Sequence, residues 1–252
     1  MPLMHGDLFD FIRGRGDRRR TRRWVAQLAL GIDALHRMGI IHRDIKPENV
    51  LLDMSTDTVR ITDFNAAYFQ PGNAPLEDGA VYTRLFIGSR PYIAPEVIRR
   101  QWYGKMVDWF ALGCLVFDLV TGEVLFPDDR EKERYMTWNA KEEGLSFLEW
   151  AGNLSDQEES IIAGLINVRS QSRLQLARLR QHPFFLDEQG INAFDTLAQP
   201  CAFTAPHSQE VHPALKNAPL VGVSPHACNS SQHPYDFRNF EWLNPRGPWK
   251  TA

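Results

Sequence analysis

The sequence predicts an α+β fold, mostly helical, with a few short strands grouped around one loop. Segments with apolar residues at helical spacing recur along the chain, beginning with Trp24, Leu28, Ile32 and Leu35. Short apolar runs bounded by polar residues, Ile40-Ile41, Val50–Leu52 and Val59–Ile61, lie close together and read as small strands. The most apolar stretch, Val107 to Val120, carries two Asp and is shorter than the ~20 residues a membrane span needs, so it reads as a buried helix.

In chain order, Leu8–Ile12 reads as a short helix. The run from Arg13 to Arg23 holds seven Arg and reads as a solvated loop and helix start, with a localisation or anionic-partner patch as the sharper alternative. Arg22–Met38 is an amphipathic helix, ended at Gly39. Residues 66–93 show no period and contain Pro71, Gly72, Pro75 and Gly79, the mark of a long surface loop. Helices are expected at 94–100, 107–120, about 131–139, 156–167 and 173–181. Ser155 followed by Glu158 has the capping-box pattern. From Phe185 onward Pro and His increase and periodicity fades. Residues 186–252 therefore read as an extended tail, ordered where aromatics anchor it.

The 252 residues carry a net charge of −3 and are 43% hydrophobic, which suits a packed core and gives no basic excess of the kind that marks nucleic-acid binding. Cys114, Cys201 and Cys228 are scattered, matching neither a disulfide framework nor a zinc set. The first residues lack the long apolar region of a signal peptide, so the expected setting is intracellular, cytoplasm or nucleus.

Chemistry concentrates in His42-Arg43-Asp44-Ile45-Lys46-Pro47-Glu48-Asn49-Val50-Leu51-Leu52, followed by Asp63-Phe64-Asn65 and then Ala94-Pro95-Glu96. This ordered set resembles the protein-kinase signature of catalytic loop, metal-binding triplet and activation-segment end. The resemblance covers residues 1–185 and implies a protein kinase-like fold, represented here by the mostly helical large lobe. The expected function is transfer of the ATP γ-phosphate to Ser or Thr of proteins with Mg²⁺. Asp44 would accept the substrate hydroxyl's proton and Lys46 would reach the transferring phosphate, while Asn49 and Asp63 offer oxygens to the metal.

Other roles follow from the same resemblance. Arg43 would answer a negative group on the activation loop. Glu96 would pair with Arg173, and Asp108 would brace the catalytic loop from beneath. His42 and Phe64 would stack in a hydrophobic column, and Leu51 would floor the adenine site. Met1–Phe9 looks like the hinge and the helix after it, with the Leu3 backbone facing adenine and Asp7 facing ribose. Asp7, Glu48 and Asp118 fall where basophilic kinases bind Arg or Lys near the phosphorylated residue, so the expected partners are proteins with Ser or Thr beside basic residues. Ser89 occupies the usual Thr beside the catalytic loop.

Val107–Gly113 and the acidic pattern are similar to the AGC kinase group, and Asp-Phe-Asn in place of Asp-Phe-Gly is similar to its YANK-type relatives. Phe237–Trp242 has the form of the AGC hydrophobic motif, with Glu241 placed to mimic a phosphate. The sequence departs from the pattern in three ways. No Gly-rich loop, strand Lys or helix Glu precedes the hinge. A chain starting at Met1 would thus offer one wall of the ATP site and an apolar upper face for a partner to cover. A non-catalytic binding module, or a stretch of a longer kinase, are the alternative readings. Asn65 replaces a Gly that supplies positive φ, at some cost in strain. Leu85 stands at the usual activating phosphorylation position, with Thr83 and Tyr82 out of register, so Glu77 or Asp78 is expected to supply Arg43's negative partner.

Overall fold

The computed structural model describes residues 6–12, 18–139 and 154–197. The chain enters through strand β1 (Gly6–Asp7) and helix α1 (Leu8–Ile12), then helix α2 (Arg18–Arg37). Strands β2 (Ile40–Ile41), β3 (Val50–Asp53), β4 (Thr58–Ile61) and β5 (Tyr68–Phe69) follow. The rest is helical: α3 (Pro95–Ile98), α4 (Met106–Thr121), α5 (Asp129–Asn139), α6 (Asp156–Leu165), α7 (Leu176–Leu179) and α8 (Ala193–Leu197). The strands form two small antiparallel sheets, β1-β3-β4 and β2-β5. Asp7 stands opposite Leu51, and Ile41 opposite Tyr68.

Helix α4 is apolar on every side and nearly every residue of it is buried, as a helix at the centre of a domain must be. It packs on α2 and α6. The approach to α6 is close enough that a Cβ on Gly113 would lie 2.7 Å from Leu165 and Ile166, so no other residue fits there without movement. Ser155 caps α6 through the full capping box: Ser155 N donates to Glu158 Oε2 at 2.9 Å and Glu158 N donates to Ser155 Oγ at 3.4 Å.

Helix α2 begins at Arg18, four residues before the expected start at Arg22, because Arg is a good helix former even where its charge opposes the helix dipole. Arg13 and Arg15 of the basic run lie outside the described residues. Asp57, at the β3–β4 turn, ties α2 to the sheet: its carboxylate accepts from Trp24 Nε1 at 2.9 Å and faces Arg23 Nε at 3.5 Å, while its carbonyl accepts from Gln27 Nε2 at 3.0 Å.

Three expectations are revised. The segment 66–93 is not wholly a surface loop: it contains β5, short 3₁₀ turns and the buried Leu76. Helix 173–181 shrinks to Leu176–Leu179, since Arg173 is extended and its guanidinium is used elsewhere. Residues 186–197 hold a bridge and α8 in place of extended chain, and, as expected, they are ordered where an aromatic anchors them. Leu186 bridges Asn192, and Phe194 is buried with its ring 4.6 Å from that of Phe185. The remaining tail, with the Phe237–Trp242 motif, lies outside the described residues.

Two buried polar sites, one an ion pair and one a hydrogen-bonded acid, hold helical layers together. Arg173 donates to both oxygens of Glu96 at 2.7 Å, to Met106 O at 2.9 Å and to Asn167 O at 2.8 Å, joining the start of α4 to the α6–α7 connection. Asp118, near the end of α4, accepts from Tyr92 Oη at 2.6 Å and Leu125 N at 3.3 Å. The expected place of Asp118 is a peptide groove. Its carboxylate is instead 1% exposed, with its oxygens facing Tyr92 and Leu125, so it is not a solvent-facing acid.

Breaking the first site should be expensive. Glu96→Ala leaves a buried guanidinium without its counter-charge and should lower unfolding free energy by about 3–5 kcal/mol. Urea unfolding checks this, and a loss below about 1 kcal/mol, the worth of an exposed pair, contradicts it. The second site makes a pH prediction. Burial pushes the Asp118 carboxyl from 3.8 up to about 7, against the lowering effect of the Tyr92 and Leu125 hydrogen bonds. The folded state therefore binds more protons than the unfolded one between about pH 4 and 7. This group's contribution to stability is complete below pH 4 and is lost as pH rises through 7. Asp118→Asn should remove that part of the slope in unfolding measured from pH 4 to 8, whereas identical slopes in the two proteins would contradict the assignment.

Candidate active site

The catalytic-loop segment lies between the two small sheets, above α4. Its backbone is anchored from below by Asp108, which is buried in the first turn of α4. One carboxylate oxygen accepts from Arg43 N at 2.8 Å. The other accepts from His42 N at 2.9 Å and lies 2.8 Å from His36 Nε2. Burial works to raise the Asp108 carboxyl. The His36 hydrogen bond and charge, with His42 and the Arg43 amide, outweigh it and hold the group below the usual carboxylate range. Arg43 sits at φ 66°, in the left-handed region that costs a side-chain-bearing residue about 1–2 kcal/mol. The two amide bonds to Asp108 offset that strain.

The turn aims the next residues at one point. Asp44 Oδ1 accepts from Ser89 N at 2.8 Å and Oδ2 accepts from Asn49 Nδ2 at 2.9 Å. Lys46 Nζ donates to Ser89 Oγ at 2.8 Å and lies 3.5 Å from Asp44 Oδ2. Asn49 is buried. Its amide nitrogen also donates to Asp44 O at 2.9 Å, which leaves its Oδ1 as an oxygen donor. His42 Nε2 faces Thr62 O at 3.0 Å, so a neutral ring carries its proton there and accepts from Asp44 N on Nδ1 at 3.3 Å. The His42 ring meets Phe64 edge-on, with centroids 5.0 Å apart.

Asp63 is exposed and its carboxylate accepts from Asn65 N at 3.3 Å. The positive φ expected at Asn65 belongs to Asp63, at 62°. Asn65 lies inside a 3₁₀ turn of ordinary φ, so the Gly-to-Asn change carries no left-handed strain there. The side-chain hydrogen bond back to Asn65 is what lets Asp63 take that conformation.

Arg43's charge is also used differently from expectation. Its guanidinium donates to the carbonyls of Ala66 at 2.6 Å and Ala67 at 3.0 Å. Asp78 instead pairs with Lys105 at 2.6 Å, and Glu77 is engaged through its amide by Tyr82 Oη. Arg43 thereby clips the catalytic loop to the segment just after Asp63. The segment 76–88 is held by backbone pairing and by the side chains of Tyr103 and Lys105 instead of by charge on Arg43. Tyr82 N donates to Tyr103 O at 2.8 Å and Tyr103 N donates to Thr83 O at 2.8 Å. Tyr103 Oη donates to Leu85 O at 2.6 Å, and Lys105 Nζ donates to Leu76 O at 3.1 Å. Tyr103 and Lys105 were not singled out in the sequence; two polar residues flanking Gly104 just before an apolar helix were the available signal. Gly88 closes the segment at φ 109°, and a Cβ on it would lie 2.6 Å from Arg43 O.

On the hinge side, Asp7 Oδ1 accepts from Asp10 N at 3.2 Å and the residue faces Leu51 across the β1–β3 pair. Leu3 lies outside the described residues. Leu51 and Phe64 are half-buried, and Phe9 is the more exposed apolar residue there. Glu48 is exposed on the 3₁₀ turn between Lys46 and Asn49. Among the described residues no helix is long and apolar enough to cross a membrane.

The family model described as protein kinase domain matches residues 1–185. The chain is similar to the serine/threonine-protein kinase mrck-1 of Caenorhabditis elegans, 34% identical over 174 residues, covering 64% of this chain and 10% of that protein. It is 30% identical over 187 residues to the serine/threonine-protein kinase gad8 of Schizosaccharomyces pombe, covering 72% and 31%. It is 34% identical over 168 residues to ribosomal protein S6 kinase 2 beta of Xenopus laevis, covering 64% and 25%. The chain thus spans under a third of the length of these curated relatives. The family-model match across most of the chain and the likeness to these kinases lead to one conclusion: the chain belongs to the protein kinase family, in its AGC-like serine/threonine branch.

Proposed function

We propose that this chain supplies the phosphoryl-transfer centre of a serine/threonine kinase, moving the γ-phosphate of ATP to a Ser or Thr hydroxyl of a protein. The observation that carries the reading is the convergence of Asp44, Lys46 and Asn49 with Ser89, all within 2.8–3.5 Å. Phosphoryl transfer asks a protein chiefly to position groups and neutralise charge, and this cluster is pre-positioned. Asp44, fixed by donors on both oxygens, accepts the proton of the substrate hydroxyl. Lys46, steered by Ser89, meets the transferring phosphate as a point charge. Asp7 and Leu51, paired across β1–β3, take the nucleoside.

Asn49 Oδ1 and the exposed Asp63 carboxylate are hard oxygen donors. Such a pair fits Mg²⁺, which keeps waters and phosphate oxygens in its shell and uses one or two protein ligands. When bound, the ion offsets charge on the phosphates. Asn65 N, bonded to Asp63, and Asp44, bonded to Asn49, hold those two donors in orientation. A preference for basic substrates rests on Asp7 and Glu48, since Asp118 is engaged internally.

The test is transfer from γ-labelled ATP with Mg²⁺ to a Ser peptide bearing upstream Arg, using the native full-length protein. Asp44→Asn should lower kcat by about 10²–10⁴-fold. Equal rates in the two proteins, or transfer to Tyr instead of Ser, would overturn the reading. Glu48→Gln should raise KM for the basic peptide about threefold to fivefold at low salt with kcat kept, the worth of one exposed ion pair. An unchanged KM would remove Glu48 from the basic preference and leave the kinase reading standing.

A further inference from the structure

We propose that Lys132 of α5 is a positioning residue for the catalytic loop: its ammonium, seated on the carbonyls of Arg90, Pro91 and Ile93, fixes the turn that holds Ser89 against Asp44 and Lys46. The inference rests on the kinase reading of Asp44 and Lys46. Lys132 belongs to a fully charged stretch, Arg130-Glu131-Lys132-Glu133-Arg134, within α5. Yet Lys132 shares a buried face with Tyr135 and Met136, at i, i+3 and i+4, and is 1% exposed.

An ammonium has three donors and no acceptor. Here the acceptors are three backbone carbonyls: Pro91 O at 2.8 Å, Ile93 O at 3.1 Å and Arg90 O. The charge also lies 5.0 Å from the Phe126 ring centre and 5.9 Å from that of Phe110. Burial works against the charged form and pulls the group from 10.5 down to about 8. An apolar side chain would pack beside the two Phe rings without that desolvation cost. What the ammonium adds is the fixing of three consecutive-turn carbonyls that no hydrocarbon can hold.

Those carbonyls belong to a tight link. Residues Arg90–Tyr92 form a 3₁₀ turn, closed by Tyr92 N to Ser89 O at 2.9 Å and Ile93 N to Arg90 O at 3.4 Å. The residue that opens it, Ser89, donates its amide to Asp44 Oδ1 and accepts from Lys46 Nζ, each at 2.8 Å. One residue therefore separates the Lys132 contacts from the groups assigned to the chemistry. On the other side of Ser89, Gly88 lies against Arg43 O with no room for a side chain, so the turn has a fixed wall on one flank and Lys132 on the other.

Amide hydrogen exchange of the native full-length protein tests this without requiring turnover. In Lys132→Met the amides of Ser89, Tyr92 and Ile93 should exchange at least about tenfold faster, the loss expected when bonds to a charged group go, while amides within α4 keep their protection. Should the Met variant fail to fold, Lys132→Gln, neutral and of similar length, is read the same way. Unchanged exchange at the three amides overturns the proposal. So does equal loss throughout α4, or failure of both variants to fold, because Lys132 would then support the fold at large. In phosphotransfer, kcat should fall about tenfold to a hundredfold with KM for ATP kept, and Lys132→Arg should recover part of it; a change confined to KM overturns the proposal. If the unmodified protein transfers no phosphate, the kinase reading fails and the exchange result alone decides the role of Lys132.

Discussion

The rest of the site depends on one buried carboxylate. Asp108 rises from the first turn of a largely apolar, buried helix, and its two oxygens accept the amides of consecutive residues, His42 and Arg43. A carboxylate fully removed from water is costly unless its lone pairs are filled. His36 and the two amides fill them, so the cost of burial and the order of the loop are two sides of the same contact. Because α4 is packed on both α2 and α6, it cannot shift to follow a loop that moves. The loop must take the shape that α4 dictates.

That shape is strained, and the strain sits where the chemistry is assigned. Arg43 and Asp63 both hold positive φ, each next to a residue of the proposed centre or within it. Conformations of this kind persist only where the surroundings over-determine them. Arg43 is held from below by Asp108, from the side by the carbonyls of Ala66 and Ala67, and from above by Gly88. Through the Ala66 and Ala67 contacts the loop with Asp44 and the turn with Asp63 form one unit. Through Ser89 the activation-segment end joins them. The 76–88 segment is ordered by backbone pairing to Tyr103 and by the Asp78–Lys105 pair, which accounts for an Arg43 whose guanidinium faces carbonyls instead of an acid.

How much of this was legible depended on whether the signal was local. The catalytic-loop residues are contiguous, so their chemistry reads directly from the chain. The α6 capping box and the α4 helix are likewise written in runs of neighbours. Strand β1 was not visible, because two residues have no period and pair only through Leu51 and Leu52. Arg173 was expected within a helix, but its bonds to Glu96 and Met106 draw its backbone out of one, a tertiary demand overriding propensity. The burial of Asp118 and Lys132 escaped a one-dimensional reading for the same reason. Each looks like a surface charge until the partners, Tyr92 and the Arg90–Ile93 carbonyls, are brought from some tens of residues away. Asn65 does not carry the strain expected of a missing Gly, because the chain takes its left-handed turn two residues earlier, where the Asp63 side chain accepts from the amide of Asn65.

The most direct test of the central constraint is a crystal structure of the Asp108→Asn protein. An amide at this position offers one oxygen where two are used and points N–H toward N–H. With α4 unmoved, the account predicts that Arg43 leaves the left-handed region and that Asp44 withdraws from Ser89 N. Arg43 still near φ 66°, with Asp44 Oδ1 still about 2.8 Å from Ser89 N, would contradict it.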